Sequence, residues 1–284
     1  MALTSAKRPV DRTGRPSRDS WVVSQYADAA AASGYAALHN GRGPQARYFR
    51  SRLYVVDESL RRCPGGDLLD VGCGPGVLVG RLLDTRPGNF RITACDRSPA
   101  MIETVAQRAG ESGDVRLSVA RIEEMPFQDR SFDVVLATGV LEYADVGCAL
   151  HEIARVVRPG GLVVVTMLNP MSPYRVFEWF AYWPALRLLG RLEGLLGVPV
   201  ARRHGAPKSG IRARTATRMG RLMHDTGLER EDLVYYDLTP LVPPFDKLIR
   251  RWTSRWRSHP ETTVSRGVCR WLGTGYLIAA RRTK

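Results

Sequence analysis

The sequence predicts an α/β fold in which a doubly wound, mostly parallel sheet binds a ligand at its carboxyl edge. First, residues 67–83 combine an apolar run, a glycine turn and apolar residues at helical spacing. Second, short apolar runs alternate with helical patterns across residues 91–167. Third, Gly72, Gly74 and Gly76 stand at alternate positions, where backbone must turn tightly beside a ligand.

The composition is that of an ordinary globular protein. The chain has 284 residues, of which 44% are hydrophobic and 25% charged. This length allows one large α/β domain with extensions or two small domains. The five cysteines form no C-x-x-C pair and no Cys/His metal pattern, so we expect no metal site. Without an apolar leader or a long uncharged apolar run, the expected location is the cytoplasm.

The net charge is strongly positive, at +14, from 42 Lys and Arg against 28 Asp and Glu. Such a field favours anionic partners, namely nucleic acid, a phospholipid surface or a phosphorylated substrate. An arginine-rich composition without functional meaning explains the charge equally well. Residues 1–20 hold basic residues and prolines with few apolar ones, which predicts a disordered basic tail. Residues 21–284 are expected to form the folded domain.

The elements around the glycine turn follow in order. Residues 21–62 are expected to be helical and to cap the site, with one helix over 27–37 and another from about 45 to 62. After the turn, Ser98 is a possible N-cap and Pro99 the first residue of a helix. Strands are predicted for the apolar runs at residues 91–95, 115–120, 133–137 and 162–167, with a helix at 149–157.

Beyond the fifth strand the chain is longer than a minimal α/β domain. A helix is predicted for residues 215–225 and a sixth strand for 232–239. The last strand, 275–280, is expected to lie antiparallel beside the sixth. Two further cap elements are expected at residues 169–214 and 240–272.

An acid lies on each side of the glycine turn. Asp70 precedes Gly72 by two residues, and an acid there suits a cationic ligand better than a pyrophosphate. Asp96 ends the second strand, 20 residues after Gly76. This is the spacing of the acid that hydrogen-bonds ribose hydroxyls in nucleotide-binding α/β folds. A carboxylate accepts from both hydroxyls at once, which orients the sugar.

The segment LLDVGCGPG at residues 68–76 resembles the first motif of class I S-adenosylmethionine (SAM)-dependent methyltransferases. The runs at residues 120–143 (ARIEEMPFQDRSFDVVLATGVLEY) and 155–165 (RVVRPGGLVVV) resemble later motifs of that family. The resemblance implies a Rossmann-like seven-stranded sheet whose last strand is antiparallel. It also implies SAM as cofactor and in-line displacement of its methyl group by an acceptor.

We expect the cofactor to contact residues of the turn and of the following strand ends. These are Asp70, Gly72, Cys73, Gly74, Gly76, Asp96, Arg97, Met101, Arg121, Ile122, Glu123, Thr138 and Gly139. The pattern departs from the family at Arg121, where an acid usually accepts from the adenine amino group. Arginine has no acceptor, so adenine contacts are expected from backbone near Ile122 or from Glu123.

A general base, if the acceptor needs one, has several candidates. They are Glu178, Tyr143 and His39, with His151 the weakest. Glu178 lies among aromatic residues, where desolvation would raise its pKa, but an ion pair with Arg175 accounts for it as well.

Residues 174–189 are unusually aromatic and leave the fifth strand at the ligand edge of the sheet. They could form a lid that closes over an acceptor beside Thr138 and Gly139, a membrane-surface helix or an interface between identical chains. The basic loop from Arg202 to Arg214 follows and could bind an anionic group of the acceptor.

The expected function is methyl transfer to an apolar or amphipathic small molecule, such as a natural product, an isoprenoid or a lipid-like compound. RNA methylation is an alternative that the charge favours, but the sequence has no recognisable nucleic-acid module, so a nucleic-acid partner is not expected. A non-catalytic SAM-binding partner protein is the third hypothesis.

Overall fold

The computed structural model describes residues 34–37, 41, 44–110, 115–199, 202–204, 211–239 and 259–283. The expected basic tail at 1–20 therefore lies outside the described residues, as do His39 and most of the predicted cap element at 240–272.

An eight-stranded sheet forms the centre of the described part, in the order β3-β2-β1-β4-β5-β8-β6-β7. The strands in chain order are β1 (Gly66–Val71), β2 (Phe90–Asp96), β3 (Val115–Val119), β4 (Phe132–Thr138), β5 (Val157–Leu168), β6 (Leu228–Leu238), β7 (Val264–Ser265) and β8 (Gly273–Arg282). The first five strands pair in parallel, and β8 runs antiparallel to both β5 and β6. The α/β class and the antiparallel last strand beside the sixth are thus confirmed.

The predicted count of seven strands is wrong by one. The additional strand, β7, has only two residues and pairs with Tyr235 and Tyr236 of β6. A two-residue strand is too short to show alternation, so the sequence carries no signal for it. Strands β5 and β6 also begin several residues earlier than predicted.

Helices cover both faces of the sheet. They are α1 (Pro44–Leu60), α2 (Val77–Thr85), α3 (Pro99–Ala109), α4 (Val146–Val156), α5 (Pro173–Phe177), α6 (Trp183–Leu195) and α7 (Ala216–Asp225). A π-helical turn, Glu178–Tyr182, joins α5 to α6. Apolar residues of α1, α2 and α3 pack on one face, and those of α4 and α7 pack on the other. This arrangement leaves the carboxyl ends of the parallel strands as the open edge, where such sheets bind ligands.

A buried ion pair fastens α1 to the far half of the sheet. The Arg47 Nε donates to Asp237 Oδ1 at 2.5 Å across 190 residues of sequence. The Arg47 Nη2 donates to Thr239 at 2.8 Å, and the Thr274 hydroxyl donates to the other Asp237 oxygen. Asp237 has a φ of 54°, a left-handed conformation that is uncommon outside glycine. The surrounding contacts therefore hold this carboxylate in place against local strain.

Neighbouring side chains of α1 add one partly buried and one buried hydrogen bond to the same connection. The Tyr48 and Tyr236 hydroxyls lie 3.0 Å apart, and the Ser51 and Thr263 hydroxyls 2.8 Å apart. We call this set the polar seam, and its members are Arg47, Tyr48, Ser51, Tyr236, Asp237 and Thr263.

Replacing Arg47 by Met should destabilise the protein by about 3–5 kcal/mol, because it leaves the buried Asp237 carboxylate without its cation. Urea unfolding followed by circular dichroism measures the loss. Arg61→Met is the matched control, since Arg61 pairs with Glu58 only at the surface, at 3.3 Å, and should cost about 1 kcal/mol or less. Equal effects of the two substitutions would contradict the role given to the polar seam.

Candidate functional site

The carboxylate of Asp96 joins the glycine turn to the start of α3. Its Oδ2 accepts the Gly74 N–H at 3.0 Å, and its Oδ1 accepts the Ser98 N–H at 2.9 Å. Ser98 is the N-cap of α3, since its hydroxyl accepts the Met101 N–H at 3.4 Å. Burial raises the pKa of Asp96, and the two backbone N–H groups oppose that rise. Each carboxylate oxygen retains a lone pair for a further donor, such as a sugar hydroxyl.

The glycines of the turn serve different purposes. Gly72 packs closely, because a Cβ there would lie 2.5 Å from the Val140 side chain. Gly74 has a φ of 53°, and the nearest atom to a Cβ there would be a ring carbon of Tyr35 at 3.9 Å. Gly74 therefore leaves open space above the turn, a cradle that a side chain would fill.

A first cavity opens above this turn. Nine of the expected cofactor residues line it, namely Gly72, Gly74, Asp96, Arg97, Met101, Arg121, Ile122, Glu123 and Gly139. Cys73 and Thr138 line a smaller adjoining cavity on the other side of the turn. The structure thus brings together at one edge most of the residues that the sequence selected.

Two expected cofactor residues, Asp70 and Gly76, are not among the described lining residues of either cavity. A Cβ on Gly76 would lie 2.9 Å from Val105 of α3, so this glycine permits close packing of α2 on α3. Asp70 is 1% exposed, and neither of its carboxylate oxygens has a hydrogen-bond partner within the described part of the chain. Burial raises the pKa of Asp70 to about 7, with Arg52 opposing the rise and Asp96 adding to it.

The end of the first cavity beyond Asp96 combines apolar and charged groups. Met101 and Ile122 are buried and contribute apolar surface to the wall of this cavity. The Arg121 Nε lies 3.5 Å from the Glu123 carboxylate, which also accepts the Asp145 N–H at 3.1 Å. Arg121 thus lies beside an acid, and Glu123 is the candidate acceptor for the adenine amino group.

A second cavity of about 300 Å³ adjoins the first. The two share Tyr35, Gly139 and Tyr143 among their lining residues. The polar seam supplies Arg47, Tyr48 and Asp237 to its wall, so α1 and the end of β6 shape it together. Helix α1 lies within the segment 21–62 that was expected to cap the site, and that expectation remains a prediction.

Arg52 of α1 lies at the junction of the cavities. Its guanidinium carbon is 5.0 Å from the Phe49 ring centroid and 5.7 Å from that of Tyr48. Burial lowers the pKa of Arg52, but Tyr35, Tyr48, Tyr236 and Glu142 together raise it, so the net pKa is raised and the guanidinium is charged. In the part of the chain that the structure describes, no carboxylate forms an ion pair with Arg52. A desolvated cation without an ion pair favours an anionic ligand.

The structure places the candidate general bases in different surroundings. Tyr143 lines both cavities. Glu178 accepts from the Arg175 guanidinium at 2.5 Å, so the ion-pair interpretation describes its geometry, and it is not among the described lining residues of either cavity. His151 is on α4, and its Nδ1 lies 2.9 Å from a backbone carbonyl one helical turn earlier. His39 is outside the described residues.

The aromatic segment contributes only its first residues to the second cavity. Tyr174 and Arg175 line the wall. Phe180 is 79% exposed, and Trp179 and Tyr182 are also exposed. The expected lid over Thr138 and Gly139 is therefore not formed by these aromatic side chains, because the π-helical turn directs them to solvent. Of the basic loop, residues 205–210 lie outside the described part.

Sequence reasoning missed Arg52, Arg47, Asp237 and Glu142 as residues of the second cavity. Glu142 was noted only as part of a motif, and it is buried, with its Oε1 accepting the Leu168 N–H at 3.0 Å. Burial raises the pKa of Glu142. The pattern of α1 gives these arginines no distinction from its exposed ones, so only the tertiary pairing with β6 reveals them.

Comparison with known proteins identifies the domain. The sequence family described as "Methyltransferase domain" matches residues 69–165. The ubiquinone/menaquinone biosynthesis C-methyltransferase UbiE of Geotalea daltonii is 30% identical over 154 residues, which cover 50% of this chain and 65% of that protein. The chain spans less than two thirds of the length of such curated relatives.

Solved structures share the fold at lower identity. Geranyl diphosphate C-methyltransferase from Streptomyces coelicolor A3(2), bound to Mg²⁺, geranyl diphosphate and S-adenosyl-L-homocysteine, is 19% identical with a TM-score of 0.52. That alignment covers 82% of this chain and 79% of the other. The [4+2]-cyclase SpnF is 20% identical with a TM-score of 0.52, covering 81% and 80%.

The chain thus contains a class I SAM-dependent methyltransferase domain, matched over residues 69–165. S-Adenosylmethionine is its cofactor, and the open cradle at Gly74, the Asp96 carboxylate and the apolar Met101 and Ile122 suit a nucleoside. No helix in the described part is long and apolar enough to cross a membrane. The described residues also contain no group of three or more potential metal ligands.

Replacing Asp96 by Ala should weaken binding of S-adenosylhomocysteine by about 1.5–3 kcal/mol, or roughly ten- to a hundredfold, because a charged hydrogen-bond acceptor is lost. Gly74→Val should also weaken it by filling the cradle. Titration calorimetry gives the affinities, and Asp84→Ala on the exposed side of α2 serves as control. Unchanged affinity in both site variants, with circular dichroism showing an intact fold, would disprove this location of the cofactor.

Asp70 makes stability depend on pH. Its folded-state pKa is about 7, against about 3.9 in an unfolded chain. Between these values the folded state keeps a proton that the unfolded state has lost, so stability falls as pH rises. The fall amounts to about 4 kcal/mol at most.

Asp70→Asn should abolish this fall, so the difference in unfolding free energy between variant and wild type should grow in favour of the variant from about pH 4 to pH 8. Urea unfolding across that range measures it, and the other acids cancel in the difference. A difference that is constant with pH would show that Asp70 is not a buried, neutral acid.

Proposed function

We propose that this protein transfers the methyl group of SAM to an amphipathic small-molecule acceptor that carries an anionic group. The observation that supports this most is the second cavity, which adjoins the cofactor cavity at Gly139 and Tyr143 and is lined by Arg52, whose Nη1 would lie 2.2 Å from a Cβ on Gly139. Natural-product, isoprenoid and lipid-like acceptors all satisfy this description.

The walls of the second cavity are suited to positioning rather than to strong acid–base chemistry. When bound, SAM supplies an electrophilic methyl carbon. Tyr35, Tyr48, Phe49 and Tyr174 offer aromatic surface that excludes water and orients an acceptor. In this proposal the nucleophilic atom of the acceptor attacks the methyl carbon in line with the departing sulfur and loses its proton to a base. Tyr143, which lines both cavities, would act as that base in its phenolate form.

The cations of the second cavity divide into paired and unpaired ones. Arg47 is neutralised by Asp237, and Arg175 by Glu178. Arg52 forms no ion pair within the described residues; it lies against the Tyr48 and Phe49 rings, and its charge lowers the pKa of the buried Glu142 and Asp70. An acceptor carboxylate or phosphate would therefore gain most from Arg52, because a charge-assisted bond is strongest away from water. The structural relative named for geranyl diphosphate accords with an anionic acceptor.

The test incubates the protein with SAM labelled in the methyl group and with matched pairs of amphipathic compounds. Each pair, drawn from phenolic, prenyl and fatty acyl compounds, contrasts an acid with its neutral amide or alcohol. Label should appear in the products of the acids. In a parallel reaction with RNA in place of these compounds, no label should appear in the RNA. Labelled RNA would favour the alternative of RNA methylation. Tight SAM binding without transfer to any acceptor would favour a non-catalytic partner protein.

Arg52→Gln should lower kcat/KM for the acid of a pair by roughly ten- to a hundredfold and leave the neutral compound little changed. Arg116→Gln, on the exposed side of β3, is the matched control. Affinities for S-adenosylhomocysteine and for methylthioadenosine, which lacks the amino-acid carboxylate, are measured alongside. If Arg52→Gln weakens only S-adenosylhomocysteine, Arg52 binds the cofactor carboxylate, and the anionic group of the acceptor has no support.

A further inference from the structure

The helix α6 stands out because none of its residues is buried. Five leucines on and directly after it are exposed, and Leu195 and Leu196 are more than four-fifths exposed, at 84% and 82%. We call these residues the leucine face, and they are Leu188, Leu189, Leu192, Leu195 and Leu196. Within the described part of the chain, α6 makes its main packing contacts with the π-helical turn that precedes it.

The leucines lie on one side of the helix. Their spacing of one, three, three and one residues repeats with the helical period, so they form a continuous stripe. Soluble proteins rarely expose a contiguous apolar stripe without an interaction that covers it. Single exposed leucines would need no such explanation, but five along one side do.

The π-helical turn before α6 also exposes aromatic side chains. Phe180, Trp179 and Tyr182 are exposed there. Trp and Tyr combine an apolar ring with a polar group, which suits the boundary between water and lipid. The exposed surface is therefore apolar along α6 and amphipathic at its start.

Basic residues border this surface. Arg187 and Arg191 lie one turn apart on the flank of the leucine face, and Arg202 and Arg203 are exposed just after it. The acid of α6, Glu193, accepts from the ring and backbone nitrogens of His204. Cations beside an apolar stripe complement anionic headgroups around acyl chains, since long arginine side chains reach out while their stems stay apolar.

We propose that the leucine face docks on the surface of an anionic lipid bilayer, with α6 lying in the interface. The helix is 13 residues long, too short to cross a bilayer and suited to lying on one. The same segment begins with Tyr174 and Arg175 in the wall of the second cavity, so docking brings this wall close to lipid. The docking is independent of the proposed methyl transfer and is measured without it.

The experiment is vesicle flotation of the full chain with neutral phosphatidylcholine vesicles and with vesicles that also contain phosphatidylglycerol. The wild type should float with the anionic vesicles, and added salt should weaken binding. Leu192→Glu with Leu195→Glu should reduce partitioning by roughly tenfold or more, because two apolar insertions are lost. The double variant must keep the circular dichroism spectrum of the wild type and its affinity for S-adenosylhomocysteine.

Charge is tested with a matched pair of double variants. Arg187→Gln with Arg191→Gln should weaken flotation severalfold. Arg61→Gln with Arg62→Gln removes the same charge from the exposed turn just after α1 and should have little effect. Equal effects would show that only net charge matters, which overturns the docking site. The proposal also fails if the wild type does not float, or if light scattering shows a dimer that the leucine substitutions dissociate.

Discussion

The site depends on the position of one carboxylate, that of Asp96 at the end of β2. Because it accepts from both Gly74 and Ser98, it holds the glycine turn and the first turn of α3 in one arrangement. The open side of this arrangement is the first cavity. The Gly72 and Cys73 N–H groups, which donate to the Cys95 carbonyl at 2.7 and 3.1 Å, tie the same turn to the end of β2.

A second constraint sets the acceptor side. The polar seam fastens α1 to the end of β6, and Asp237 adopts a left-handed conformation there that only its buried partners maintain. Burying an ion pair costs free energy, and here the buried Arg47–Asp237 pair also shapes the wall of the second cavity. Since α1 also carries Arg52, the seam determines where an unpaired cation meets the cofactor edge. The same helix therefore carries the buried ion pair and the arginine that we propose to recognise the acceptor.

Local patterns predicted much of the fold and selected nine residues that line the first cavity. The glycine spacing, Asp96, and the Ser98–Pro99 helix start are encoded within a few residues each, and the structure shows these elements as predicted. Arg47 and Asp237 could not be paired from sequence, because 190 residues separate them. Likewise, composition shows that residues 174–189 are unusually aromatic, but it does not show whether these side chains face a cavity or solvent. The π-helical turn that carries several of them has no reliable local signal.

The most direct test of this account is a crystal structure of the full chain with S-adenosylhomocysteine. The account predicts the ribose against Asp96, the base beside Ile122 and the sulfur directed past Gly139 toward the second cavity. Nucleoside bound elsewhere, or a sulfur that does not face the second cavity, would contradict the placement of cofactor and acceptor on which the proposed methyl transfer depends.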